Sequence, residues 1–290
     1  MALIEAFRPR QWTKNVLLFV GVVFAVRLLD VPSLVASLIA FLVFCAVSSA
    51  VYLMNDLLDS EADRQHPRKR SRPIASGRLS PATATIAAAV LAIGGLGVAA
   101  AVRLEFGAIV AAYLILNGAY NLGLKRVLLI DLFTLAAFYV LRAVAGAVAI
   151  AVPISPWLYL CTILAALFLG LAKRRHELIL LGESAADHRL ILREYNAPLL
   201  EQMITIVTAS LIMAYSLYTF SADNLPDDHT MMLTIPIVVF GIFRYLFLVH
   251  RRDAGGSPED LLLGDRPLTL TVVSLAVVSV AVLYLHRMPG

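Results

Sequence analysis

Charge is scarce in this chain: Asp, Glu, Lys and Arg make up 15% of its 290 residues, against about 25% in an ordinary soluble domain. A fully solvated globular surface is therefore excluded. Cysteine is nearly absent as well. Cys45 and Cys161 both lie inside apolar runs, so neither a disulfide framework nor a thiolate metal site is supported, and both read as packing residues. His188, His229, His250 and His286 lack metal-ligand spacing and read as solvent or interface residues. No low-complexity tract or soluble domain is visible. Nor is a cleavable signal expected, because the first apolar run follows Phe7-Arg8-Pro9-Arg10-Gln11-Trp12 and precedes no small-residue cleavage pattern.

What is abundant is apolar length. Hydrophobic residues form 60% of the chain, enough for about eight or nine crossings at roughly 20 residues per membrane helix. Runs between charged or Pro/Gly-marked breaks predict nine, at 15–29, 34–54, 82–102, 106–122, 127–150, 157–172, 199–220, 230–249 and 268–285. An all-α integral membrane bundle is favoured over a barrel, whose strands would show about ten residues of alternating polarity. If the N-terminus is cytoplasmic, nine crossings place 1–14, 55–81, 123–126, 173–198 and 250–267 on the inner side. Those segments hold 19 of the 24 Lys and Arg residues, as the positive-inside rule requires. The net charge of +4 is accordingly read as loops facing anionic lipid, not as a nucleic-acid surface. A single transmembrane domain over 1–290 is expected. Its loops 55–81 and 173–198, each about 26 residues, are longer than a simple connection requires and are where chemistry is sought.

The first of these loops opens on Asn55-Asp56-Leu57-Leu58-Asp59-Ser60-Glu61-Ala62-Asp63. Continued as a helix, it places Asn55, Asp59 and Asp63 at i, i+4 and i+8 on one face. Carboxylates so spaced repel unless a cation lies between them, and they are the hard oxygen ligands that Mg²⁺ prefers. A solvated acidic helix end is the plainer reading of the spacing alone. Directly behind come His66-Pro67-Arg68-Lys69-Arg70-Ser71-Arg72-Pro73-Ile74, with five cationic or potentially cationic groups. Taken alone that run is a topology signal or a lipid-surface patch. Beside the carboxylates it supplies the second sign that a metal-bound polyphosphate needs.

Asn-Asp-x-x-Asp-x-x-x-Asp followed by a basic segment resembles the first signature of the UbiA-type intramembrane prenyltransferase superfamily, and every motif position is matched here. The resemblance covers nearly the whole chain; Tyr120-Asn121-Leu122-Gly123-Leu124-Lys125 looks like the family's Tyr/Lys element. Most members carry a second aspartate-rich motif after the sixth span. This chain instead reads Lys173-Arg174-Arg175-His176-Glu177-Leu178, a composition that repels Mg²⁺ and suits another phosphate. In this it resembles the decaprenyl-phosphate phosphoribosyltransferase branch, with further matches at Arg8-Pro9-Arg10-Gln11-Trp12-Thr13-Lys14-Asn15, Val51 to Asp56, and Pro258-Glu259-Asp260 with Asp265-Arg266. The resemblance implies a UbiA-like bundle in a bacterial inner membrane, with a Mg²⁺-dependent active site facing the cytoplasm. It further implies 5-phosphoribosyl 1-diphosphate as donor, a long polyprenyl phosphate as acceptor, supply of arabinose for cell-wall arabinogalactan, and a homotrimer.

Under that resemblance Asn55, Asp59 and Asp63 hold Mg²⁺, and Asp56 is a further ligand or orients one. Lys69, Arg70 and Arg72 are assigned to the donor's diphosphate. Lys14, Lys125, Lys173 and Arg174 are assigned to the donor 5-phosphate or the lipid phosphate. Tyr120 either hydrogen-bonds a phosphate or anchors its helix at the interface. Glu177, at i+4 from Lys173, pairs with it or touches the ribose hydroxyls. Arg142, midway along the fifth span, must face the bundle interior or a wet cavity, as a ligand contact or in a structural link with Asp131 nearby. Trp12 beside Lys14 suits an interfacial helix. The two signs of charge are expected to share one cleft at the inner leaflet. Two rival readings remain: a UbiA-type polyprenyltransferase acting on an aromatic acceptor, disfavoured by the cationic second motif, and a transporter of anionic lipid, poorly served by an acidic row.

Overall fold

The computed structural model describes residues 1–66, 69–181, 190–222, 225–251 and 258–285. Pro67, Arg68, His188, Asp223, His286 and Arg287 lie outside the described residues, as does the side chain of Glu259. Among the described residues every regular element is helical. They are α1 (Ala2–Ala6), a 3-10 helix (Pro9–Leu18), α2 (Phe19–Phe24), α3 (Val31–Leu58), α4 (Ser60–Gln65), α5 (Pro81–Val102), α6 (Leu104–Leu122), α7 (Ile130–Ala149), α8 (Pro156–Leu181), α9 (Ala197–Ser221), α10 (Ile235–Arg251), α11 (Pro258–Gly264) and α12 (Arg266–Leu285), with short 3-10 turns between.

Three of the long helices begin where the sequence offers a side-chain cap followed by proline. Asp30 accepts the Ser33 N–H at 3.1 Å ahead of α3, Ser80 the Thr83 N–H at 3.1 Å ahead of α5, and Asn196 the Leu199 N–H at 2.9 Å ahead of α9. Each satisfies an otherwise orphaned first-turn donor, and Pro32, Pro81 and Pro198 sit where no N–H is needed.

Seven helices among the described residues are long and apolar enough to cross a membrane: α3, α5, α7, α8, α9, Thr230–Arg251 around α10, and α12. The protein is thus an all-helical, multi-pass membrane protein, with seven such helices where nine spans were expected. The segment 15–29 is divided between the end of the 3-10 helix and the six-residue α2. The segment 106–122 lies in α6, whose 19 residues include Glu105, Asn117 and Asn121 and so dilute its apolar character.

The chain forms two compact units. The first comprises Met1–Val22, Leu28–Leu122 and Leu141–Pro153. In it α5 turns Ala84, Ala88, Gly95 and Ala99 inward; a Cβ at Gly95 would lie 2.6 Å from Val47 Cγ2, so the small residues let α5 approach α3 closely. Ile86, Val90 and Ile93 are exposed on α5 and suit contact with lipid. Ala6, Leu53, Ile74, Leu79, Ala84 and Ala88 form one buried cluster, which gives the basic loop an apolar foot. The second unit comprises Val23–Arg27, Gly123–Val140 and the described residues from Ile154 onward. Its core includes Leu132, Phe168, Leu171, Tyr195, Leu200, Tyr245 and Leu268. Arg244 on α10 forms a paired-nitrogen contact with Asp265, at 3.0 and 2.8 Å, and Asp265 also accepts the Leu268 N–H at 3.1 Å, capping α12.

Candidate active site

In the first unit the acidic motif straddles a helix break. α3 stops at Leu58, and Asp59 leaves the helical region with φ −91° and ψ 2° before α4 restarts at Ser60. One uninterrupted helix through Asn55, Asp59 and Asp63 is therefore not what forms, although the Asp63 N–H still donates to the Asp59 carbonyl at 2.8 Å. Four carboxylates within eight residues repel along a regular helix.

The acids are sorted by the cations that meet them. Asp56 and Asp63 are each 2% exposed. Arg72 lies between them, with Nη1 3.1 Å from Asp56 Oδ1 and 2.5 Å from Asp63 Oδ2. Lys69 Nζ stands 3.9 Å from Asp63. Asp56 Oδ1 also receives Arg8 Nη2 at 2.5 Å, and the Arg8 guanidinium lies 5.2 Å from the Tyr52 ring centroid. Arg70 is exposed. Asn55 Oδ1 accepts from Asn121 Nδ2 at 2.5 Å, and that amide also donates to the Asn117 carbonyl at 3.0 Å. Tyr120 is half-buried next to Asn121.

The N-terminal segment is fastened to α3 by hydrogen bonds. Trp12 Nε1 donates to Ser49 Oγ at 3.1 Å, and Ser49 Oγ donates to the Phe7 carbonyl at 3.2 Å. Lys14 Nζ donates to Gln11 Oε1 at 2.5 Å. Arg142 is buried, donating to Asn15 Oδ1 and to Tyr113 Oη, both at 2.8 Å, with its guanidinium 4.9 Å from the Tyr113 ring centroid. It faces the interior of its unit, as a charge on a membrane helix must; Asp131, the neighbour expected for it, pairs elsewhere. The outer rim of this unit holds an exposed pair, Glu5 with Arg78 at 2.7 and 2.8 Å, and the guanidinium's hydrogen bonds hold the Glu5 carboxyl below the usual carboxylate range.

In the second unit the cationic motif at the end of α8 meets carboxylates. Arg174, 1% exposed, donates through Nε to Asp131 Oδ2 at 2.8 Å and through Nη1 to Glu177 Oε2 at 2.6 Å. Glu177 thus pairs with Arg174 at i+3. Arg175 donates to Glu201 at 3.1 and 2.9 Å. Much of the motif's positive charge is therefore matched, which composition alone did not reveal. Lys173 is half-buried, and Lys125 is half-buried on the 3-10 turn Leu124–Arg126.

Sequence reasoning missed Tyr195 and gave Arg8, Asn121 and Asp131 no role of their own. Arg8 and Asn121 stand inside quoted motifs, so their signal was available. Tyr195 had none: its neighbours in sequence do not point to Leu129, whose N–H its hydroxyl accepts at 3.2 Å, or to Asp131, to which it donates at 3.3 Å. Burial, reinforced by the Asp131 carboxylate, pushes Tyr195 up to about 12.

The donors around α3 and α4 are oxygens of the kind a hard divalent cation takes. Among the described residues no group of three or more His, Cys, Asp and Glu side chains is disposed to hold a metal. Mg²⁺, however, usually takes one or two protein carboxylates and completes its shell with water and substrate phosphate. Asn55, Asp56, Asp59 and Asp63 are oxygen donors of that class, with Asp56 and Asp63 paired to Arg72, so the donor chemistry suits such an ion.

The sequence profile of the UbiA prenyltransferase family matches residues 16–259. A decaprenyl-phosphate phosphoribosyltransferase of Mycobacterium tuberculosis is 35% identical over 97% of this chain and 94% of its own length. One from Corynebacterium glutamicum is 34% identical over 99% of this chain and 87% of its own. Among solved structures, a UbiA homolog from Archaeoglobus fulgidus bound to DMAPP and Mg²⁺ superposes with a TM-score of 0.73 at 16% identity, covering 98% of this chain and 99% of that one.

Proposed function

The chain belongs to the UbiA prenyltransferase family, and we propose that its reaction is transfer of 5-phosphoribose from 5-phosphoribosyl 1-diphosphate to a decaprenyl-type polyprenyl phosphate, with release of diphosphate. The observation that carries this reading is the likeness, over 97% of the chain, to enzymes named for that activity. The clustering of Arg72 and Lys69 around buried Asp56 and Asp63 supports it. The reading keeps one catalytic domain over 1–290, nine crossings with a cytoplasmic N-terminus, an inner-membrane location with the site facing the cytoplasm, and a homotrimer.

Asn55, Asp59 and Asp63 would hold Mg²⁺, with Asp56 behind them; when bound, the ion neutralises charge developing on the diphosphate as it leaves. Arg72 and Lys69 offer N–H donors to the diphosphate oxygens, with Arg70 at the exposed edge, and Asn121 orients Asn55 through its amide. Tyr120 adds a hydroxyl donor. Lys14, Lys125 and Lys173 bind the donor 5-phosphate or the lipid phosphate, and Arg142 holds the Lys14 segment through Asn15. Arg174 fixes Asp131 and Glu177 by charge, leaving Glu177 at the edge for a ribose hydroxyl.

The lipid phosphate oxygen forms a bond to the anomeric carbon as the bond from that carbon to the diphosphate oxygen breaks. The bonding pair departs with diphosphate. A phosphate monoester has a second pKa near about 6 and is largely dianionic at neutral pH, so the nucleophile needs no general base. The protein's contribution is geometry and fixed positive charge around the developing oxocarbenium centre.

Purified protein incubated with radiolabelled phosphoribosyl diphosphate, decaprenyl phosphate and Mg²⁺ is expected to yield labelled lipid. A parallel mixture of aromatic acid and prenyl diphosphate is expected to yield no coupled product. Label in the second mixture alone would select the aromatic-acceptor reading, and uptake of anionic lipid into vesicles without chemistry would select transport. Asp59→Asn is expected to remove most labelled product with an unchanged melting temperature; full turnover in that variant would contradict its role.

A further inference from the structure

Leu129, which precedes α7, has a φ of 65°. A branched residue with no glycine-like freedom is disfavoured there and persists only where its surroundings hold it. Two backbone bonds tie the neighbourhood together: Asp131 N–H to the Val127 carbonyl at 3.2 Å and Phe133 N–H to the Leu129 carbonyl at 3.0 Å. The Leu129 N–H itself is taken by Tyr195 Oη at 3.2 Å, from a residue 66 positions away.

Tyr195 is well placed to hold it. The residue is 4% exposed and belongs to the same buried cluster as Leu132, Phe168 and Leu200. Its hydroxyl donates to Asp131 Oδ1 at 3.3 Å, while the other oxygen of that fully buried carboxylate receives Arg174 Nε at 2.8 Å. Each member fixes the next. Arg174 sets the carboxylate, the carboxylate orients the Tyr195 hydroxyl as a donor, and the oxygen lone pairs are thereby turned to the Leu129 amide. The stretch so anchored, Gly123 to Leu129, begins with the 3-10 turn that carries Lys125.

We propose that Tyr195 is a positioning residue for Lys125: anchored on the Asp131–Arg174 pair, its hydroxyl holds Leu129 in its left-handed conformation and so fixes the loop that presents Lys125 to a phosphate group. This rests on the reading of Lys125 as a phosphate ligand given above. Tyr195 touches no reacting atom in this scheme; its effect reaches substrate only through the loop.

The test compares the full-length protein, in detergent or nanodiscs, with Lys125→Ala, Tyr195→Phe and the double variant, assayed with phosphoribosyl diphosphate, decaprenyl phosphate and Mg²⁺. Tyr195→Phe keeps the ring in its core and removes the hydroxyl. It is expected to raise KM about three- to tenfold for the one anionic substrate whose KM Lys125→Ala also raises, with little change in kcat. The double variant is expected to be no worse than Lys125→Ala alone. Additive losses, or a rise in both KM values together, would show general loosening and overturn the proposal. In a Leu129→Gly background, where the left-handed conformation needs no support, Tyr195→Phe is expected to change KM less than about twofold; an undiminished effect counts against the proposal. Hydrogen exchange of the Leu129 amide gives a readout free of substrate, expected to quicken in Tyr195→Phe; unchanged exchange removes the clamp. If Lys125→Ala alters neither KM while exchange does quicken, the clamp stands and the phosphate role of Lys125 fails.

Discussion

Arg72 stands between two carboxylates that are almost wholly out of water, where an unpaired charge is costly. The acidic motif is thus held together by charge supplied from its own loop and, at Asp56, from Arg8 of the N-terminal segment. Spacing along the sequence indicated that acids and bases would meet; it did not indicate that Asp56 and Asp63 share Arg72 while Asn55 turns to Asn121. At Tyr195 the electrostatics carry a pH dependence. Burial first, and then the Asp131 charge, raise its hydroxyl from 10.0 to about 12, so the folded state holds that proton more tightly than the unfolded chain. The sign follows from linkage: the stabilising contribution is complete below pH 10 and is lost as pH rises toward 12. Melting temperature is therefore expected to fall across that window. Tyr195→Phe, lacking the ionisable group, is expected to show a shallower fall, measured by differential scanning fluorimetry against wild type.

Among the elements, α7 shows how a small residue sets a contact. A Cβ at Gly146 would lie 2.0 Å from the Leu18 carbonyl oxygen, and one at Gly21 would lie 2.9 Å from the Ala147 nitrogen. The end of the 3-10 helix and the start of α2 therefore approach the backbone of α7 directly, near the Arg142–Asn15 bond. Gly146→Ala is expected to destabilise the protein by about 1–3 kcal/mol or more through overpacking. Gly118→Ala on α6, with no heavy atom within 4 Å of its new Cβ, is expected to be neutral or to gain up to about 1 kcal/mol of helix propensity. Chemical denaturation of both variants in the same detergent compares them. The starts of α3, α5 and α9 were legible to within about three residues from the apolar runs beginning at 34, 82 and 199. The break at Asp59 was not, because regular i, i+4 spacing fits one helix as well as two short ones joined at a carboxylate.

For the molecule as a whole, positive charge along the sequence sets the proposed orientation. Ser76 and Glu105 are both exposed and flank α5. In inverted and right-side-out vesicles, Ser76→Cys is expected to react with a membrane-impermeant maleimide from the cytoplasmic side and Glu105→Cys from the other. Labelling of both from one side would refute the crossing by α5. Length and hydropathy made most of the spanning helices readable, because burial in lipid is a local, additive property of consecutive side chains. The expected spans at 15–29 and 106–122 do not reach that length and hydropathy as single described helices, since Asn15 and Asn117 bring into those stretches polar groups that bond inside the protein.

A helical membrane protein with an acid-and-base motif on its charged loop could be read from composition, run length and residue spacing, since each depends on neighbours in sequence; that it is an enzyme came from the family resemblance. Which cation neutralises which acid could not. Arg8 reaches Asp56 across 48 residues, and Arg174 reaches Asp131 across 43. Such pairings belong to the path of the folded backbone, and where water does not reach a charge it is that path which gives these buried ions their partners.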